Sequence, residues 1–288
     1  MYINEKIFES KDFYELIKNQ LEMYWGKHTF LSILYFEMGD KSDTYINSNI
    51  SINLMKLMSA FKKIDFRIPR ANDGQNNSLD TDNPILDDLV NGVVEKSKEY
   101  ELDKVEILLN SFFKSMFSDV IKAFYKRSDD ENKVVYKLFL RKQIENHEYD
   151  IDFQLESNGT KEIIGLLPYL ISAVSGNCVI IDEYGIGVHD LLATKLLAAI
   201  GEQIKGQLII TTHNTLLMDC AGVNPEALYF IMNDKTFRKS VKCVTEIEDR
   251  LHPNYNYRKR YFTNDLYKDA LPDLSNNEIN LEEFAQLY

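Results

Sequence analysis

Cysteine is scarce in this sequence and cations are outnumbered. The 288 residues hold three cysteines, Cys178, Cys220 and Cys243. Their spacing is not of the zinc or disulfide kind, which excludes a stapled secreted scaffold and a cysteine-based metal site. Nowhere do about 18 apolar residues run together, so no membrane span is expected. The N-terminal MYINEKIFESKDFYELIKNQ lacks a basic stretch followed by an apolar core, the mark of a signal peptide. The 33 Lys+Arg against 45 Asp+Glu leave a net charge of -12 and a pI near 5.0. So acidic a surface repels polyphosphate, which excludes broad nonspecific nucleic-acid binding; such contact would need a partner or a small patch. The expectation is a soluble, reduced, cytoplasmic protein.

What is present suits a folded core. With 44% hydrophobic and 27% charged residues the chain is globular rather than disordered. Its length fits one large domain or two small ones. No internal repeat is apparent. Residues 1–130 read as a mainly helical lobe, with apolar stripes over 11–25, 50–63, 84–97 and 102–126. Residues 28–37 are short enough for helix or strand. The polar stretch 70–83 reads as an exposed loop, ending at Asn83-Pro84 as cap and first turn of a helix. Residues 131–156 carry two alternating runs, 134–140 and 148–155, that predict a β-hairpin.

From residue 157 to about 250 the texture becomes α/β. Helices at 160–175, 190–204 and 214–220 alternate with apolar strands at 178–181, 207–212 and 227–232, and a further strand is expected near 240–245. Continuous apolar strands separated by helices predict a buried parallel sheet. Residues 251–288 form a polar, aromatic tail with a basic cluster, Arg258-Lys259-Arg260.

Three features stand at the ends of these elements. The strand Cys178–Ile181 runs into Asp182-Glu183, placing two carboxylates at the carboxyl edge of the sheet, where open α/β folds bind ligands. That arrangement suits a first acid holding Mg²⁺ and a second polarising a water; acids that merely open a solvated turn would look the same. Thr211-Thr212-His213 follows the next strand, and an imidazole there can donate to a phosphate or be a loop residue. Glu156-Ser157-Asn158-Gly159-Thr160 precedes a helix, offering a hydroxyl and free N–H groups to an anion or simply capping the helix.

Ser157 precedes Asp182 by 25 residues and Glu183 precedes His213 by 30. In this order the trio resembles the signature, Walker B and switch-histidine motifs of ABC-type ATPases of the SMC/RecF/OLD group. Within that group it is similar to bacterial AAA-family ATPases of abortive infection and phage defence. Glu156–Thr160 matches their E-S-x-G-T, Asp182–His189 their D-E-x-x-x-G-[LV]-H, and Thr211–Asn214 their T-T-H-[NS]. The tail Tyr261–Tyr267 resembles their Y-L-x-G-R-Y-G loosely, with Asn264-Asp265 in place of Gly-Arg.

The resemblance implies a P-loop NTPase-like sheet with a helical lobe, and two heads that sandwich ATP with Mg²⁺. It implies Glu183 as catalytic carboxylate, His213 as the switch and Asp182 as the metal site. Ser157, Asn158, Gly159 and Thr160 would bind the nucleotide of the opposite head. Residues Tyr184 to Asp190 would cross the interface of a homodimer or hetero-assembly that governs an effector protein.

One expected part is missing. The only Gly-Lys pair, Gly26-Lys27, is followed by His28, and the glycine required five positions earlier is Leu21. No G-x-x-x-x-G-K-[ST] is present to cradle phosphates. The expectation is the C-terminal part of an ATPase head, completed by a P-loop in cis or from another chain. The alternatives are a non-hydrolysing interaction module, or a metal-dependent nuclease built on Asp150 and Asp152 or on Asp80 and Asp82.

Overall fold

The structure, a computed structural model, describes residues 3–24, 26–39, 41–68, 77–79, 81, 83–220, 223–233, 236, 238–247, 256–263 and 285. Ten helices lie among the described residues: α1 (Lys11–Met23), α2 (Phe30–Met38), α3 (Asp43–Asn49), α4 (Ile52–Lys62), α5 (Pro84–Asp87), α6 (Glu99–Met116), α7 (Asn158–Ser175), α8 (Asp190–Ile200), α9 (Val244–Ile247) and α10 (Tyr257–Phe262). The strands are β1 (Ile64–Arg67), β2 (Asn91–Glu95), β3 (Val120–Asp130), β4 (Lys133–Ile144), β5 (His147–Asp152), β6 (Cys178–Ile181), β7 (Gln207–Ile210), β8 (Tyr229–Asn233) and β9 (Lys239–Cys243). Asp80, Asp82, most of the 70–83 loop and the tail motif beyond Thr263 lie outside the described residues.

Two compact units divide the chain. The first holds residues 1–88, 166–182 and 205–210. Its helices α1 to α4 each start on a Ser or Thr cap, Ser10, Thr29, Ser42 and Ser51, whose hydroxyl accepts a first-turn N–H. Such caps satisfy donors that the helix itself leaves unpaired. Phe8, Phe13, Ile17, Leu21, Leu34, Ile50 and Leu54 form the core between these helices.

The same unit contains a parallel sheet in the order β1-β6-β7. The second half of α7 lies in this unit too, and Ser172 Oγ donates to the buried carboxylate of Asp65 on β1. Asn177 Nδ2 in turn donates to Ser172 Oγ at 3.0 Å. The outer edge of β1 is closed by a two-bond bridge between Phe66 and Ser78. No described residue pairs with the outer edge of β7. Ile180 on β6 and Ile209 on β7 stand side by side in register, 36% and 43% exposed. Parallel sheets usually have both faces covered.

The second unit holds residues 89–165, 183–204 and 211–288. Strand β4 pairs antiparallel with β3 along one side, and with β2 and then β5 along the other. Helix α6 docks on β3 through Asn110, whose side-chain amide exchanges two hydrogen bonds with the Ala123 backbone at 2.7 and 2.9 Å. Leu102, Leu109, Phe113, Tyr136, Leu138, Leu140 and Phe153 fill the space beneath, all essentially inaccessible.

The elements correct several expectations. The helix expected over 102–126 stops at Met116, and Val120–Asp130 is a strand. Apolar spacing across the break suits both periods, but Ala123 and Tyr125 point inward at strand alternation. The stripe 84–97 is one short helix followed by β2, because Val93 and Val94 are β-branched and pair with β4. Residues 1–130 therefore contribute three strands, β1, β2 and β3, as well as helices. The third parallel strand is β1, whereas β8, expected in that sheet, pairs antiparallel with β9 on its own. Residues 28–37 resolve as a helix.

A close backbone approach fixes the start of β7. Gly206 N–H donates to Ala173 O at 3.0 Å, and a Cβ at Gly206 would lie 1.9 Å from Asn177 O. Gly206→Ala should lower the unfolding free energy by about 1–3 kcal/mol. Gly201→Ala, at a helical position with open space around it, should leave stability level or raise it by up to about 1 kcal/mol. Urea midpoints check both, and an unperturbed Gly206→Ala protein would contradict the close approach.

Candidate functional site

Asp182 closes β6 in the first unit. Its N–H donates to Arg67 O at 2.9 Å, extending the parallel ladder by one bond, and the residue is partly buried. Glu183 then turns the chain with φ at 52°, a left-handed conformation uncommon outside glycine. Its N–H donates to Thr211 Oγ1 at 2.9 Å. Tyr184 N–H donates to Thr211 O at 2.8 Å, and Thr212 Oγ1 donates to Tyr184 O at 2.9 Å. The turn after the two acids is thus fastened to the segment that leads into His213.

The rest of the turn is built for a tight path. Gly185 and Gly187 have φ of 82° and 73°, a region open to glycine at no steric cost. The Tyr184 ring is buried and its hydroxyl donates to Ala193 O on α8 at 2.9 Å. Burial pushes its phenol well above the usual tyrosine range. His189 caps α8, its Nδ1 accepting the Leu191 N–H at 3.3 Å.

His213 is exposed, while the next residue, Asn214, is buried and well engaged. Asn214 N–H donates to Thr212 Oγ1 at 3.0 Å. Its side-chain amide donates to Asp190 O at 3.0 Å and accepts the Leu216 N–H at 3.0 Å. The imidazole therefore projects from a loop held on both sides.

Ser157 occupies the cap position of α7. Its hydroxyl accepts the Thr160 N–H at 3.1 Å and sits 2.9 Å from Thr160 Oγ1, and its carbonyl accepts the Lys161 N–H. Asn158 is exposed, Gly159 partly covered and Thr160 buried. A Cβ at Gly159 would lie 2.9 Å from Gly187 O, so this segment rests directly against the 184–189 turn. Glu156 is tethered by Lys142 at 2.8 Å, and Asp119 approaches the same ammonium at 3.2 Å. Burial pulls the Lys142 ammonium down, but the two carboxylates outweigh it and hold its pKa above the usual lysine value.

Within the second unit, then, Gly159, Gly187, Glu183, Thr211, Thr212 and Asn214 form one connected set. The threonine hydroxyls carry the fastening, a role hidden in sequence because Thr after a strand is ordinary. Other acids are engaged elsewhere. Asp150 forms a two-pronged pair with Arg141 at 2.7 and 3.1 Å, and that guanidinium holds its carboxyl below the usual range. Asp152 caps the turn after β5, accepting the Gln154 N–H. Arg258 of the basic cluster pairs with Asp219 at 3.0 Å. Among the described residues no three His, Cys, Asp or Glu side chains gather as a metal-binding group, and no helix is long and apolar enough to cross a membrane.

A parallel sheet with helices makes this an α/β protein, consistent with a P-loop NTPase-like AAA domain. The family model described as "AAA domain, putative AbiEii toxin, Type IV TA system" matches residues 53–219. The chain belongs to this AAA-domain family, an AAA/ABC-like ATPase family. No curated protein matches it by sequence.

Tyr184 gives the turn a pH signature. The folded state favours the neutral phenol, so stability from this group is intact below pH of about 10, where a free tyrosine ionises. It is lost as pH rises further, by up to about 1.4 kcal/mol per pH unit. Urea midpoints followed from pH 8 to 11 should fall more steeply for the wild type than for Tyr184→Phe. Equal slopes would contradict the buried phenol.

Proposed function

We propose that this chain hydrolyses Mg²⁺-ATP as part of an ABC-type ATPase head of the abortive-infection and phage-defence kind, governing an effector protein. The observation that carries this reading is Glu183, a carboxylate held in left-handed backbone by Thr211. Glu131 and Glu145 are left-handed in hairpin turns too, so what supports the reading is the fastening of Glu183 to Thr211 at the end of β6 rather than the backbone angle alone. Glu183 orients and polarises the attacking water. His213, projecting from its fastened loop, donates to the γ-phosphate. Ser157, Asn158, Gly159 and Thr160 offer a hydroxyl and a helix N-terminus to the nucleotide of an opposing head, and residues 184–190 line the dimer interface.

Asp182 suits Mg²⁺, which keeps most of its waters and typically takes one or two carboxylates plus phosphate oxygens. When bound, the ion neutralises phosphate charge. Membership of the AAA-domain family supports nucleotide use.

We place the phosphate cradle in a P-loop segment supplied in cis or by another chain. Gly26-Lys27 lies in the connection between α1 and α2, where Lys27 N–H donates to Tyr24 O. It follows a helix, whereas a P-loop follows a strand. In this reading a strand–P-loop–helix segment adds to the open edge of β7, and its helix covers Ile180 and Ile209.

Calorimetric titration with Mg²⁺-ATP tests this division of labour. The chain alone should bind weakly, with Kd above about 1 mM, or about −4 kcal/mol. Micromolar binding by the chain unaided would contradict the external cradle. Co-production with a P-loop polypeptide should restore tight binding, and Ile209→Lys should weaken the association.

A further inference from the structure

The Thr211-Thr212 pair is placed to do more than end a strand. Thr211 receives two N–H donors from the acid turn, Glu183 at its hydroxyl and Tyr184 at its carbonyl, at 2.9 and 2.8 Å. Thr212 Oγ1 donates to Tyr184 O at 2.9 Å and accepts the Asn214 N–H at 3.0 Å. One hydroxyl therefore links the acid turn to the backbone just beyond His213. Asn214 completes the fastening at Asp190 O on α8. His213 sits between these anchors and is itself exposed.

Left-handed backbone costs a non-glycine residue some free energy, and at Glu183 the N–H is taken up by Thr211. A Thr hydroxyl can accept the Glu183 N–H; the isosteric Val cannot, and Ser can. We propose that Thr211 and Thr212 are positioning residues that hold Glu183 in its left-handed turn and transmit displacement of His213 to it. The two loops then move as one body, and loss of contact at the imidazole disarms the carboxylate. The functional half of this inference rests on the ATPase reading above; the mechanical half does not.

Amide hydrogen exchange on the full chain separates the two. In Thr211→Val the Glu183 amide should exchange about tenfold faster, the loss of one hydrogen bond. Thr211→Ser should keep the wild-type rate, and amides of Val179 to Ile181 should be unaffected in both. An unchanged Glu183 rate in Thr211→Val, or equal acceleration in Thr211→Ser, would overturn the clamp. Transmission has its own readout: His213→Ala should shift the Glu183 and Tyr184 amide resonances, and should cease to do so in a Thr211→Val/Thr212→Val background. Persistence of the shift there would overturn it.

In the protein completed with a P-loop polypeptide, Thr211→Val should lower kcat several-fold with KM for ATP unchanged. Faster Glu183 exchange with kcat untouched would overturn the positioning role. Expected exchange behaviour in a completed protein without ATP turnover would remove the ATPase reading and leave the clamp standing.

Discussion

The hydrogen bond from the Glu183 N–H to the Thr211 hydroxyl fastens the turn after the two acids to the segment leading into His213, and the proposed chemistry depends on that turn. A parallel sheet can deliver two adjacent acids to its carboxyl end, but extended backbone would send successive side chains to opposite faces. A left-handed residue at Glu183 breaks that alternation and redirects the second acid. The conformation costs a non-glycine residue some free energy, and here the Thr211 hydroxyl takes up the Glu183 N–H. The glycines at 185 and 187 let the chain complete the turn, and the buried Tyr184 pins it to α8.

Other contacts of the second unit converge on the same turn. Gly159 lies so close to the Gly187 carbonyl that no side chain fits between them. The start of α7 is therefore set by the path of the turn. Ser157 caps that helix, and Lys142 on β4 holds Glu156 just ahead of it. A hydroxyl engaged as a cap retains lone-pair and donor capacity, so capping and anion contact by Ser157 are compatible. The motif residues are thus also structural residues, and substitutions at them need controls that separate folding from function.

Much of this was legible in the sequence, and unevenly. Strands β6 and β7 stand out because both are continuous apolar runs, and α7 and α8 because their caps and stripes agree. Strand β1 is hidden because its inward positions are Asp65 and Arg67, both buried. Hydropathy treats such charges as surface, and the hydroxyl of Ser172 that satisfies Asp65 is 107 residues away. Strand β3 is masked by apolar spacing that fits a helix as well as a strand. The pairing of β8 with β9 rather than with the parallel sheet is a choice of neighbour, which composition does not encode. At the site, residue types were readable but the left-handed turn and the threonine bridge were not, since both depend on two segments meeting.

In the proposed reading Glu183, set in this turn, drives ATP hydrolysis once a P-loop completes the sheet beside β7. Its most direct measurement is steady-state Mg²⁺-ATP hydrolysis by the chain produced together with a P-loop polypeptide, comparing wild type with Glu183→Gln. The wild type should turn over ATP, and Glu183→Gln should lower kcat by about 10²-fold or more with ATP binding retained. Equal turnover by the two proteins would contradict it.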